Sequence, residues 1–456
     1  MNESLNNASE ITDSLINFIL NTNFKDIPKE AINSANRSLV NIMGCMIGGS
    51  SHPILKNIQD SLSEFSGLPN STVAGFNPKT DSLNATLLNT IACSAYSFDD
   101  THSEAIVHPS GPVASSLFSL TEQKIFSGEE FLAAFTVGVE VICRISLAIS
   151  VHPAEGSLSW MQSSVIGGIG SAAACSKLLG LNFKQTKSAI ALASSQASGF
   201  RSMFGTMAIP LLPAHGAQTG IRAAILAKNG LDCSTVCLES IHGFFDVFSS
   251  KANFNSIIEG LGSNYEINKN TFKPYPCGIV IHPIIDALLN IKKNPKFNLE
   301  KISKINVFSN TSAFKLTANR ANDKFQARTS LYYWSAIALT QNSVGISSLD
   351  DKFFNDQALI DLQDKIYVIP KDEINSDAAR VEILLNDGST IISEIFHCIG
   401  SRSCPMTNNE IGDKFLNLSY PILGIAISKR ILNYCWNIQD LSDVSKIIKL
   451  CSGMNL

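Results

Sequence analysis

The sequence predicts a mainly α-helical protein with a smaller α+β domain inserted into it. Three observations carry this expectation. Apolar residues recur at helical spacing almost exclusively up to about residue 262. Strand-like stretches rich in β-branched residues then appear between residues 301 and 395, and helical patterns return from Asn408 to the C-terminus. A large helical domain is therefore expected from residues 1–267 plus 403–456, with a smaller α+β domain from 268–402. At 456 residues the chain is long enough for two cores, because single cores stop growing near about 250–300 residues.

Taken in order, Ile11, Leu15, Ile16, Phe18 and Ile19 form an apolar helix face, and Pro28 opens a second helix running toward Gly44. GCMIGGSSHP (44–53) reads as a small-residue break that allows close helix packing before a turn. Residues 80–96 form a helix, and another begins by Gly111. Ser127-Gly128-Glu129-Glu130 caps a helix that continues through Arg144, and His152-Pro153 starts a loop to Trp160. Gly167, Gly168 and Gly170 lack the spacing of a dinucleotide turn and no strand precedes them, which excludes nucleotide binding there. KISKINVFS (301–309) and KIYVIP (365–370) read as strands. ARVEILLNDGSTIISEI (379–395) reads as a hairpin turning at Asn386-Asp387-Gly388.

Composition narrows the function. The charged fraction is only 16% against 45% hydrophobic, so much surface is expected to be buried between subunits, in a homodimer. A net charge of −4 gives no basic footprint and argues against nucleic acid. The eleven cysteines are scattered without a CxxC pair, as expected of reduced thiols in a cytoplasmic protein. MNESLNNASE is not a secretory signal, and no apolar run reaches the roughly 18 residues that span a bilayer, so no membrane is expected. Cys277 and His282 have a C-x₄-H spacing with no second ligand pair, so no metal site is expected.

The chemistry is concentrated in YSFDDTHSEAIVHPSGP (96–112). This stretch holds Asp99, Asp100, Thr101, His102 and His108 between two helical patterns. It reads as a loop entering a helix at Pro109, and a histidine near a helix N-terminus tends to stay neutral and exchange protons near pH 7. The other reading is a polar loop whose side chains cap the two helices.

FDDTH (98–102) followed by HPSGP (108–112) closely resembles the signature of the MmgE/PrpD family, which includes 2-methylcitrate dehydratase, cis-aconitate decarboxylase and iminodisuccinate epimerase. VIGGIGSAAACSKLLGL (165–181), GFRSMFGTM (199–207), KPYPCGIVIHPIIDAL (273–288) and GSRSCPMTNNEIGDKF (400–415) agree in order. The resemblance implies a two-domain architecture with the active site in the cleft between the domains. It implies His108 and Lys273 as a facing catalytic pair, with Asp100 and Thr101 orienting the histidine or touching substrate. Tyr333, in ARTSLYYWSAIAL, matches a tyrosine in a segment that usually reads A-K-F-S-L-P-Y. Arg201 offers a planar fork to a substrate carboxylate, and His102 is expected to support the site from behind.

The sequence also departs from the resemblance. Ile209 and Leu212 occupy usual lysine and histidine positions, Met161 a common histidine position, and Ser97 an acidic one. Each charge-assisted hydrogen bond lost costs roughly 1.5–3 kcal/mol, so losing two weakens a tricarboxylate by about two to four decades. His215 and Ser97 are the nearest candidates to compensate. The expectation is a cofactor-independent lyase, a dehydratase or decarboxylase, acting beside a carboxylate on a substrate less polycarboxylic than 2-methylcitrate or cis-aconitate. The alternatives are an epimerase or isomerase using His108 and Lys273 as two bases, and a non-catalytic binding protein.

Overall fold

A computed structural model describes residues 2–150, 159–234 and 236–452. Among the described residues, nine helices of ten or more residues precede residue 230. They are α1 (Asn2–Asn21), α2 (Lys29–Gly49), α3 (Pro53–Leu62), α4 (Ser82–Ser94), α5 (Ser110–Thr121), α6 (Gly128–Ser150), α7 (Gln162–Leu179), α8 (Phe183–Ser194) and α9 (Leu211–Lys228).

Pro28 stands immediately before α2, where its missing N–H is not needed. The break expected at Gly44 is absent, and α2 runs on to Gly49. The expected close packing and turn lie further on: a Cβ on Gly49 would fall 2.0 Å from the Ala92 carbonyl oxygen of α4, and the chain turns at Ser50 and Ser51. The same device joins α7 to α9, where a Cβ on Gly220 would lie 2.4 Å from the Gly168 oxygen. Asp81 caps α4 by accepting from the Leu83 and Asn84 amides. Ser127 and Glu130 form the reciprocal capping box that starts α6. The loop expected from His152 to Trp160 falls largely outside the described residues.

Helix α6 is the one described helix long and apolar enough to cross a membrane, and its span is 94% buried inside the fold. It carries Glu140 and Arg144, and the Arg144 guanidinium donates to Glu140 and to the carbonyls of Ile257, Glu259 and Asn264.

Among the described residues there are two hydrophobic cores. The first draws on α1 to α9 and also on the C-terminal helices, through Ile411, Phe415, Ile431 and Ile447. The second runs from Tyr275 to Ile391. It is built on a four-stranded sheet of β1 (Ile302–Asn310), β2 (Ile366–Lys371), β3 (Ala379–Leu385) and β4 (Thr390–Ile395), ordered β2-β1-β3-β4. β1 and β2 are parallel, and the other pairs are antiparallel. Alternation buries Ile305, Val307, Val381 and Ile383 on one face, with helix His282–Lys292 packed against β3 and β4 and helix Leu331–Thr340 against that helix. The β3–β4 turn closes at Gly388, whose φ of +82° suits glycine.

Candidate active site

Loop 96–108 leaves α4 and enters α5, which begins at Ser110, one residue later than expected, with Pro109 at the N-cap. Its course is fixed by two short β-bridges. Thr101 exchanges both backbone hydrogen bonds with Thr271 at 2.9 Å, and His102 pairs with Val107. The Thr101–Thr271 bridge places the loop beside Lys273, two residues further along. Loop and lysine then share a cavity of about 580 Å³, lined also by residues of α5, α7 and the sheet domain.

His108 lines this cavity with its side chain one-third exposed. Its Nδ1 lies 2.8 Å from the carbonyl oxygen of Asp100 and 3.2 Å from the Thr101 hydroxyl. A carbonyl only accepts, so the proton is assigned to Nδ1, which leaves Nε2 as the nitrogen with a lone pair. Burial pushes the His108 pKa below its ordinary value, against the opposing pull of Asp99. The neutral state expected from the helix terminus is thus secured mainly by desolvation.

Lys273 is 3% exposed; its Nζ donates to the Ser97 carbonyl at 2.9 Å and lies 3.5 Å from Asp99 Oδ1. That carboxylate oxygen is also 3.9 Å from His108 Nδ1. Burial alone would raise the Asp99 pKa, but His108, Lys273 and Arg328 outweigh it and hold the carboxyl below its usual range. Ser97 has φ +53°, a left-handed backbone that turns its carbonyl toward the lysine.

Asp99 takes the place expected for the Asp100 side chain. Asp100 is sealed beneath the loop, where its Oδ2 accepts from Ser110 Oγ at 2.7 Å and Asn270 Nδ2 at 2.8 Å. Burial pushes it up to about 7. Of the two adjacent aspartates, Asp99 lines the cavity and Asp100 does not. Asp100 does orient His108, but through its backbone carbonyl.

Of the other expected residues, Thr101, Ser97, Arg201, Met161 and Ile209 line the cavity. His102 does not: it is fully buried, its Nδ1 accepts from the Ala105 amide and its Nε2 pairs with Glu266 at 2.9 Å. Burial would raise the Glu266 pKa, yet hydrogen bonds from His102 and Lys269 bring it down to about 2. Tyr333 is also absent from the cavity. It lies inside the second core, its hydroxyl donating to the Ser348 carbonyl and its ring stacked on Phe354 at 4.7 Å. Leu212 is not in the lining, and His215 stands exposed on α9, outside the cavity. His52 caps α3, with Nδ1 accepting from the Ile54 amide. His282 packs edge-on against Tyr275 as the first residue of its helix.

Two cations were missed in the sequence. Arg328 lines the cavity and donates from Nε to Ser97 Oγ and from Nη2 to the Ser94 carbonyl, each at 2.8 Å. The available signal was its place in ARTSLYY, where the resembling segment has lysine. Lys414 lies behind the site, in the closing motif. Its Nζ donates to Asn41 Oδ1 and the Phe98 carbonyl at 2.7 Å and to the Lys273 carbonyl at 2.9 Å. It also sits 3.9 Å from the Phe98 ring centroid. Burial lowers its pKa to about 8. The cavity is lined also by the apolar side chains of Met161, Phe204, Ile209, Ile279, Leu316 and Phe325.

Comparison with known proteins matches both parts of the chain. The MmgE/PrpD N-terminal domain matches residues 13–257 and the MmgE/PrpD C-terminal domain residues 275–438. A cis-aconitate decarboxylase-like protein, oryM, of Aspergillus oryzae is 25% identical, covering 97% of both chains. Cis-aconitate decarboxylase of Aspergillus terreus is 26% identical over 98% of this chain and 96% of the relative. The Homo sapiens cis-aconitate decarboxylase is 27% identical over 81% of this chain and 79% of its own length. These relatives support a lyase. The chain belongs to the MmgE/PrpD family.

Proposed function

We propose that the protein is a cofactor-independent lyase that moves a proton at a carbon beside a carboxylate. The observation that carries this reading is the shared cavity of His108 and Lys273, with the Asp99 carboxylate reaching both. The Nδ1 hydrogen bond leaves His108 Nε2 free to take or give a proton. In a decarboxylation the carbon–carboxylate bond breaks, carbon dioxide leaves, and the remaining electron pair is protonated by one member of the pair. In a dehydration one member takes the proton, and the departing hydroxyl leaves as water with a proton from the other. Decarboxylation is favoured, because the relatives reported above are cis-aconitate decarboxylases or like them.

Met161 and Ile209 in the lining favour a substrate with fewer carboxylates, or a more apolar body, than cis-aconitate. The same pair would also serve a two-base epimerase. Assembly as a homodimer follows from the low charged fraction, and sedimentation at micromolar concentration tests it.

The experiment is proton NMR of the protein with citrate, 2-methylcitrate, cis-aconitate, iminodisuccinate and simpler unsaturated and hydroxy acids in deuterated buffer. New vinyl signals or loss of a carbon support the lyase. Deuterium uptake without a change of skeleton replaces it with the epimerase, and silence across the panel supports the non-catalytic reading.

A further inference from the structure

Met161 and Ile209 bring no charge to the cavity, and an anionic substrate needs a fixed positive group to hold it. Arg328 meets the requirements. It is 9% exposed and lines the cavity. Two of its three guanidinium nitrogens are tethered to the chain, Nε to Ser97 Oγ and Nη2 to the Ser94 carbonyl. No hydrogen bond to Nη1 is found among the described residues, and Nη1 is not among the buried atoms left without a partner, so solvent in the cavity reaches it. By contrast, Arg201 has its Nε sealed off without a partner. Both tethers of Arg328 are neutral acceptors, a hydroxyl and a carbonyl, so they fix the fork without cancelling its charge.

We infer that Arg328 is the anchor for a substrate carboxylate, presenting Nη1 to one carboxylate oxygen beside Lys273. This rests on the proposed reading that the ligand is a carboxylate. The tethers hold the group in one orientation before binding, so little side-chain freedom is lost when the anion arrives. Ser97 is essential to this arrangement, because an acid in its place would form an ion pair with Arg328 and compete with the substrate. The apolar side chains of Phe204, Ile209 and Leu316 then receive the remainder of the substrate, which fits a carboxylate carrying a hydrocarbon branch.

The test is calorimetric titration of the wild type, Arg328→Gln and Arg328→Lys with cis-aconitate and with 2-methylsuccinate, alongside melting temperatures. Arg328→Gln is expected to weaken binding by about tenfold or more, and Arg328→Lys, which keeps the charge, to recover much of it. Equal binding by Arg328→Gln and wild type overturns the anchor, as does the absence of saturable binding by the wild type. Arg328→Lys as weak as Arg328→Gln overturns it too, since the tethers and not the charge would then be responsible. If Arg328→Gln does not fold, a crystal structure of the wild type with cis-aconitate decides: a carboxylate within hydrogen-bond distance of Nη1 supports the anchor, and one placed elsewhere overturns it. Binding does not depend on turnover. Binding lost in Arg328→Gln by a protein that never forms product keeps the anchor and removes the lyase, and turnover with unchanged binding in Arg328→Gln does the reverse.

Discussion

Lys273 Nζ lies 3.5 Å from Asp99 Oδ1, and both side chains are almost completely buried at the edge of the cavity. A buried charge left without its partner is costly, about 3–5 kcal/mol. Lys273→Met is therefore expected to destabilise the fold and to lower kcat by about 10²–10⁴, the usual contribution of a positioned acid or base. Denaturant unfolding and steady-state kinetics check the two parts separately.

The lowered pKa of His108 sets the pH profile. A histidine with a depressed pKa stays unprotonated further into acid than an ordinary imidazole, so its basic form is complete at neutral pH. The base is lost only as pH falls through a value below about 6.5. The acidic limb of kcat/KM is expected there, and a midpoint at or above the ordinary value would contradict the geometry.

Asp100 makes the opposite kind of prediction for stability. Its carboxyl is raised from 3.8 to about 7 in the fold, so between those values the native state holds a proton that the unfolded chain has released. That contribution is fully present below the unfolded value and is lost as pH rises through about 7. Asp100→Asn cannot ionise, so its stability relative to the wild type should improve by a few kcal/mol between pH 5 and 9. Parallel stability curves for the two proteins would show that Asp100 does not titrate in this way.

Lys414 joins the two halves of the site from behind, through the carbonyls of Phe98 and Lys273. Lys414→Met leaves Asn41 Oδ1 and the Lys273 carbonyl without a donor, at about 1–3 kcal/mol each before relaxation, and the Phe98 carbonyl with only the Cys45 thiol. It is expected to lower the melting temperature and to reduce kcat by about tenfold or more, because His108 and Lys273 lose their registration. A variant that melts lower but turns over at the wild-type rate would reduce Lys414 to a purely structural role.

The elements with a clear period were legible in the sequence. The strands near 301–309 and 365–370 and the hairpin at Asn386-Asp387-Gly388 lie where alternation and turn residues place them. The continuation of α2 through Gly44 was not, because glycine reads locally as a breaker while its contact partner Phe415 is far along the chain. The site divides in the same way. His108 and Lys273 could be named from motifs, and they do share the cavity. The exchange of Asp99 for Asp100 depends on which way one loop residue points, and no periodicity encodes that. Arg328 acts on a residue 231 positions away, and Lys414 on one 316 positions away, so neither role has a local signature. Tyr333 shows the converse: a motif match alone did not bring its side chain to the cavity.

The central claim is that His108 transfers the proton, and its most direct test is the turnover of His108→Ala on whichever acid the wild type converts. Removing the imidazole is expected to lower kcat by about 10²–10⁴ while the melting temperature and anion binding stay close to wild type. Turnover by His108→Ala at the wild-type rate would contradict the claim and move the proton transfer to another group in the cavity.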